Sequence, residues 1–441
     1  MKATRVLLAI ALALTVAWIG PGSDRADAQG QTIKIGVLYD HSGPFSAAGS
    51  LNCWRGAKMI IDYVNERGGV LGKYKIVQVD GDSQSKAEVA INEAERLLNV
   101  EKVDILAGIY SSAHAVPLAE KVDKQKKFLW ITTAIADAVL KDRNLDYTFR
   151  PQPNGGSFGE NSVKYVAHYS QEKLKKAPKD VRVAIIYEDG PYGTGVAAAN
   201  ESEARKQGMQ VVLKEGFSIQ APDLSSLVTK LRAARPDVLF HTGYAPDIAL
   251  FLRQAKEQGL RVKIYVGHGA GHSQLAKLKE SLGNEVEGFH TVDPPAAQLI
   301  DPKRLKPGLP ELTQEMLKRY KAFEPNIPAG EVAPHVSMGF NNMWVLLNDV
   351  LPRAIQKHGG FGPDALAKAA RETDIPDGGT MQGYGVKFQP AGHPMAGQNM
   401  RAIAAVFQVV DGQFKHVYPP VVASMAQPPV LLPSSSPFFA R

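Results

Sequence analysis

His268 and His272 stand four residues apart, Ser112 stands two before His114, and glycines gather at Gly193-Thr194-Gly195 and across 267–271. These residue types build metal sites, acyl-transfer enzymes and nucleotide cradles, and each group falls short of its chemistry. A histidine pair at i,i+4 suits a metal when both lie on one helix, but here glycine and alanine intervene and no acid adjoins. Ser112 has no Gly-x-Ser-x-Gly elbow, and His114 is too near in sequence to imply triad geometry. The glycines lack the Gly-x-Gly-x-x-Gly spacing of a dinucleotide fingerprint. A further loop, Ser42-Gly43-Pro44-Phe45 with Gly49 beyond it, carries no phosphate-binding lysine. It does place backbone N–H groups and a hydroxyl where a parallel strand ends, the edge at which open α/β sheets take ligands. The chain reads as one that binds without transforming, and no cofactor or metal is expected.

Those residues need a scaffold, and the patterning supplies one. Short β-rich runs alternate with helical patterns at the spacing of βαβ units. In the first half the expected strands are 33–39, 75–80, 103–109, 128–132 and 147–151, with helices at 52–67, 85–99 and 113–126. In the second of these helices Val89, Ile91, Ala94, Leu97 and Leu98 fall near one face. After the break Pro151-x-Pro153-Asn154-Gly155-Gly156 a second series predicts strands at 181–187, 210–217, 237–242, 263–267 and 288–293. From Pro294 the pattern turns helical, at 311–323, 333–357 and 363–373. A hairpin of strands 401–410 and 413–418 then closes on Asp411-Gly412. The end, 419–441, is rich in proline with a serine run and is expected to be a mobile tail with no core of its own.

The ends and the composition bound the setting. Lys2 and Arg5, an apolar run over 6–20 and Ala26-Asp27-Ala28 form the pattern of a cleaved signal peptide over 1–28, with cleavage near Gln29. The only cysteine, Cys53, lies inside a helix, so neither an internal disulfide nor a lipid anchor at the cleavage point is expected. Net charge is +7, but no basic arm and no interleaving of basic with aromatic residues accompany it, which argues against a nucleic-acid partner.

With the elements placed, residues 32–418 resemble the periplasmic substrate-binding proteins of ABC transporters, of the branched-chain amino-acid type. The resemblance rests on Ser42-Gly43-Pro44, Asn65-x-x-Gly68-Gly69-x-x-Gly72, the stretch 110–114 followed by Pro117, and the stretch 131–136. It rests also on Tyr192-Gly193-x-Gly195 and Gly243-Tyr244-x-Pro246. It implies an α/β fold of two Rossmann-like lobes with parallel sheets, joined by three hinge crossovers and closing on a ligand. Lobe 1 would comprise 32–150 plus 294–400, and lobe 2 would comprise 151–293 plus 401–418. It also implies a periplasmic monomer that captures a small solute and delivers it to an ABC permease in the inner membrane. The alternative role is a sensor that passes its liganded state to a membrane receptor.

By the same resemblance Ser112 takes the position that hydrogen-bonds a substrate carboxylate, with the N-cap role of a serine as its ordinary reading. Ala134 falls where the family uses backbone, and Ala136 where amino-acid binders commonly carry a threonine. Tyr192 and Tyr244 would close over the ligand from lobe 2, and Tyr110, His114 and His41 add aromatic and polar groups at the edges of lobe 1. Gly269 is the main departure, because amino-acid binders carry there a glutamate that pairs with the ligand ammonium. A desolvated ammonium left without that partner loses about 1.5–3 kcal/mol. The expected ligand is therefore a carboxylate or amide-like solute without a free α-ammonium. The alternative is a true amino-acid binder in which Asp40, Glu188 or Asp189 substitutes.

Overall fold

The computed structural model describes residues 31–440, so the expected signal peptide at 1–28 lies outside the described residues. Within them no helix is long and apolar enough to cross a membrane.

Five strands form the first sheet: β1 (Thr32–Tyr39), β2 (Lys75–Asp82), β3 (Ile105–Gly108), β4 (Phe128–Ile131) and β5 (Thr148–Phe149). Their order is β2-β1-β3-β4-β5, and every pairing is parallel. Five more strands follow: β6 (Arg182–Glu188), β7 (Gln210–Phe217), β8 (Val238–Thr242), β9 (Ile264–His268) and β10 (His290–Asp293). A short ribbon comes next, β11 (Asp374–Ile375) with β12 (Val386–Lys387), and then β13 (Ala405–Val410) and β14 (Gln413–Tyr418). The second sheet runs β14-β13-β10-β9-β8-β6-β7, so its parallel part repeats the order of the first and an antiparallel hairpin extends it. Strands β3, β4, β8 and β9 are buried along their whole lengths, as continuous apolar strands covered on both faces must be.

The chain passes between the sheets three times, after β5, after β10 and before β13. Between the last two passages its helices return to the first sheet. Helix Pro334–Val345 lies against helix Leu51–Glu66 so closely that a Cβ on Gly339 would sit 2.0 Å from the Cys53 carbonyl oxygen. A Cβ on Gly56 would sit 2.3 Å from the Val336 oxygen. Trp130, fully buried on β4, donates its indole N–H to the Asn342 carbonyl at 2.9 Å. The strand expected from 401 starts only at Ala405, because the Asn399 side chain ties that crossover to the carbonyls of Pro151 and Gly385.

The tail is a correction. Over its described part it packs on the second sheet: Val430, Leu432 and Phe438 are buried, and the Val262 N–H donates to the Phe438 carbonyl at 2.8 Å. The Leu432 N–H donates to the Lys263 carbonyl, and the Ala440 N–H to that of Val262, each at 2.9 Å. Proline content pointed to a segment without a core, but the apolar residues between the prolines supply burial enough to hold it down.

Candidate functional site

Strand order 2-1-3-4-5 puts a switch point between β1 and β3 in one sheet and between β6 and β8 in the other, and loops at such points form a crevice. The C-terminal loops of the two sheets face each other across a narrow cavity, about 340 Å³ of non-atom space when the open solvent at its mouth is included. From the first lobe Tyr110, Ser112, Thr133, Ile135, His335 and Met338 line it. From the second come Phe158, Tyr192, Tyr244, Gly269, Ala270 and Asp293.

Ser112 opens helix Ser112–Lys124, so the unpaired N–H groups of the first turn end at the cavity. Its hydroxyl oxygen accepts the Ala136 N–H at 3.1 Å, which leaves the hydroxyl proton to donate elsewhere. Tyr244 caps helix Ala245–Glu257, and Asp247 fixes its backbone N–H at 3.0 Å. From there the Tyr244 ring crosses to the first lobe, 4.3 Å centroid to centroid from Phe45, and lies 5.4 Å from the Tyr192 ring. Tyr192 donates its phenol to the His268 carbonyl. Burial holds the phenols of Tyr110, Tyr192 and Tyr244 far above their ordinary pKa, so all three are neutral donors.

Of the nine residues singled out from sequence, Tyr110, Ser112, Tyr192, Tyr244 and Gly269 come together here, and four do not. Ala134 and Ala136 pack into the core with Ile131 and Val139, while their carbonyls accept from the buried Arg150 at 3.1 and 2.7 Å. Their neighbours Thr133 and Ile135 face the cavity. His114 packs against Phe45 with the rings tilted, 5.9 Å between centroids, its Nδ1 3.9 Å from Asp40, and burial lowers its pKa. His41 sits edge-on to Trp54 at 5.0 Å. The pair His268 and His272 is occupied by the fold. His268 bonds Thr242 at 3.0 Å and Ser162 at 3.1 Å, and His272 bonds the Tyr265 phenol at 2.9 Å. Among the described residues no group of three or more His, Cys, Asp or Glu side chains is placed to hold a metal.

The three acids considered as substitutes for the missing glutamate do not line the cavity. Asp40 accepts from the Ser83 hydroxyl and the Ser85 N–H at 2.5 and 2.9 Å. Glu188 accepts the Gly190 and Gly193 N–H groups, and Asp189 is exposed. The acid that does line it is Asp293, the last residue of β10, 2 % exposed, its Oδ2 without a hydrogen-bond partner. Burial pushes its carboxyl up to about 8. His335 Nδ1 lies 3.5 Å from that oxygen, and burial drives the imidazole down to about 3, so it is neutral. Among the described residues no cationic side chain lines the cavity. A strand-final acid just before Pro294-Pro295, on the strand beside the Gly269 loop, was the available signal for Asp293; His335 and Met338 gave none, because their helix reads as plain core.

The sequence matches the periplasmic binding protein family over residues 32–413. Leu/Ile/Val-binding protein homolog 7 of Brucella suis is 34 % identical over 413 residues, covering 93 % of this chain and 97 % of that protein. Homolog 8 of the same organism is 32 % identical over 420 residues, covering 95 % and 97 %. Among solved structures, the leucine binding protein LivK of Thermotoga maritima superposes with a TM-score of 0.70 at 22 % identity, over 88 % of this chain and 98 % of that one. A solute binding protein of an ABC transporter from Rhodopseudomonas palustris, in complex with p-hydroxybenzoic acid, gives 0.69 at 19 % identity, over 90 % and 98 %. Two twin-ordered sheets closing on one lined cavity, and a match along nearly the whole chain, lead to the same place: this chain belongs to the periplasmic binding protein family, in its Leu/Ile/Val-binding branch, and is a solute-binding protein rather than an enzyme.

Proposed function

We propose that the protein captures a small carboxylate or amide-like solute in the periplasm, closes its lobes over it, and delivers it unaltered to an ABC permease, acting as a monomer. The observation that carries this reading is the cavity lined from both lobes. A solute lodged there touches both halves, so its binding favours the closed arrangement over the open one. Ser112 and the N-terminus of its helix offer donors to a carboxylate, and the neutral Tyr244 phenol adds another without bringing a charge. Leucine, in the description of one structural neighbour, and p-hydroxybenzoic acid, in another, have a carboxylate in common.

The test is a thermal-shift screen of amino acids, aromatic acids and short-chain acids, followed by small-angle scattering on the hits. A solute at a hundredfold its Kd stabilises by about 2.7 kcal/mol. At least one carboxylate is expected to raise Tm and contract the scattering profile. A panel without any such hit, or chemical turnover of a bound compound, would refute the reading.

A further inference from the structure

Gln274 stands between β9 and helix Leu275–Leu282, so it belongs to the second lobe, yet its amide is spent on the first. Arg55 can only donate, and its Nη1 donates to Asn52 Oδ1 at 3.2 Å, as does the Tyr320 hydroxyl at 2.8 Å. The Asn52 nitrogen must then face Gln274, donating to its Oε1 at 2.8 Å. That leaves the Gln274 nitrogen to donate to His335 Nδ1 at 3.1 Å. Both ends of one amide are thus bonded to helices of the opposite lobe, Leu51–Glu66 and Pro334–Val345. Gln274 is 4 % exposed, and its nitrogen lies 3.0 Å from where a Cβ on Gly49 would be, so only a residue without a side chain lets the amide pass.

A second tie lies on the next turns of the same helix. Lys279 donates to the Glu331 carboxylate at 2.7 Å and to the Gly412 carbonyl at 3.1 Å. Glu331 ends the turn Ala329–Glu331, which leads into helix Pro334–Val345, so this pair also crosses between the lobes. The two side chains are 29 % and 16 % exposed, and salt screens such a half-sheltered pair less than an open one. Neither Gln274 nor Lys279 lines the solute cavity. Gln274 instead walls a separate groove, shared with Asn52, Arg55 and Glu331.

We propose that Gln274 and Lys279 form a clasp that fastens the lobes without touching the solute, and so raise the affinity for every solute by one common factor. The clasp rests on the reading above, in which the lobes close over what they bind. Contacts made in the closed arrangement and lost in the open one add to the free energy of closure, whichever solute is held. Choice among solutes stays with the residues that line the cavity, and the clasp sets how long any of them is kept.

The experiment is isothermal titration of wild type, Gln274→Met, Lys279→Met and the double variant with the acids of the thermal-shift panel, leucine, valine, p-hydroxybenzoate and butyrate among them. Methionine fills much of the space of either side chain and removes its polar end. Each acid that binds wild type is expected to bind Gln274→Met about three- to thirtyfold more weakly, and Lys279→Met about two- to tenfold more weakly. The order of affinities is expected to stay that of wild type, and the double variant to lose the product of the two factors. Stoichiometry should hold at the wild-type value, since a merely structural defect lowers the active fraction and leaves Kd alone. Stopped-flow displacement should show the loss as faster dissociation. An unchanged Kd in either variant overturns the proposal, as does a loss confined to some of the acids, and both leave solute capture standing. If no acid of the panel binds wild type, solute capture falls and the clasp with it.

Discussion

Tyr244 supplies the ring that crosses the cleft, resting on Phe45 from one lobe and beside Tyr192 in the other. Removing it withdraws an aromatic contact of about 0.5–1.5 kcal/mol, together with the apolar area it buries. Tyr244→Ala is expected to weaken solute affinity at least tenfold by calorimetric titration, while far-ultraviolet circular dichroism of the unliganded protein stays unchanged. Unaltered affinity would take Tyr244 out of the site. At this scale the sequence was informative only where loop motifs name a position. Ser112, Tyr110, Tyr192, Tyr244 and Gly269 reach the cavity, whereas the side chains of Ala134 and Ala136 turn into the core and their neighbours Thr133 and Ile135 form the wall. Asp293 and His335 belong to the site through contacts between segments far apart in the chain, which no local pattern carries.

Among the elements, the closest fit joins helix Leu51–Glu66 to helix Pro334–Val345, where glycines let the backbones nearly touch. In Gly339→Ala the new methyl would meet a backbone carbonyl, which cannot rotate away as a side chain can. Overpacking of that kind costs about 1–3 kcal/mol. The variant is expected to lower the urea midpoint by a corresponding amount without changing the slope, and an unchanged midpoint would show that the helices separate freely. Elements were the most legible level of the sequence. The ten parallel strands and the late helices fall where alternation and periodicity placed them, with ends shifted by a few residues. The tail was misread because proline counts describe backbone donors and say nothing of the valine, leucine and phenylalanine between them.

For the molecule as a whole, acid is the predicted weakness. His241, His268, His335 and His416 are held down to about 3, and His290 to about 4, each because burial disfavours the charged ring. An unfolded histidine titrates near 6.5. Below that pH the unfolded chain binds protons that the folded chain refuses, and stability falls as pH drops from 6.5 toward the folded values. Each withheld proton costs about 1 kcal/mol per pH unit across that window. Asp247 and Asp293, raised to about 7 and about 8, act in the opposite sense, since protonation favours their folded forms as pH falls below those values. Five groups against two leave a net loss. Calorimetric Tm is expected to rise modestly from pH 8 to 6.5, where only the two acids take up protons, and to fall by pH 5 once the five histidines are engaged; a Tm still rising from pH 6.5 to 5 would contradict it.

The return of the late helices to the first sheet has a consequence for how the chain comes into being. Trp130 and the face of helix Leu51–Glu66 are covered by residues roughly two hundred to three hundred positions further on. As the polypeptide emerges from its N-terminus, the opening half stays unfinished, its apolar surface open to water, until that distant helix has been made. The second sheet waits longer still, because β13, β14 and the tail that extend and cover it are the last segments made. Both parts are thus completed late, and anything that shepherds this chain must guard it until its far end has been made.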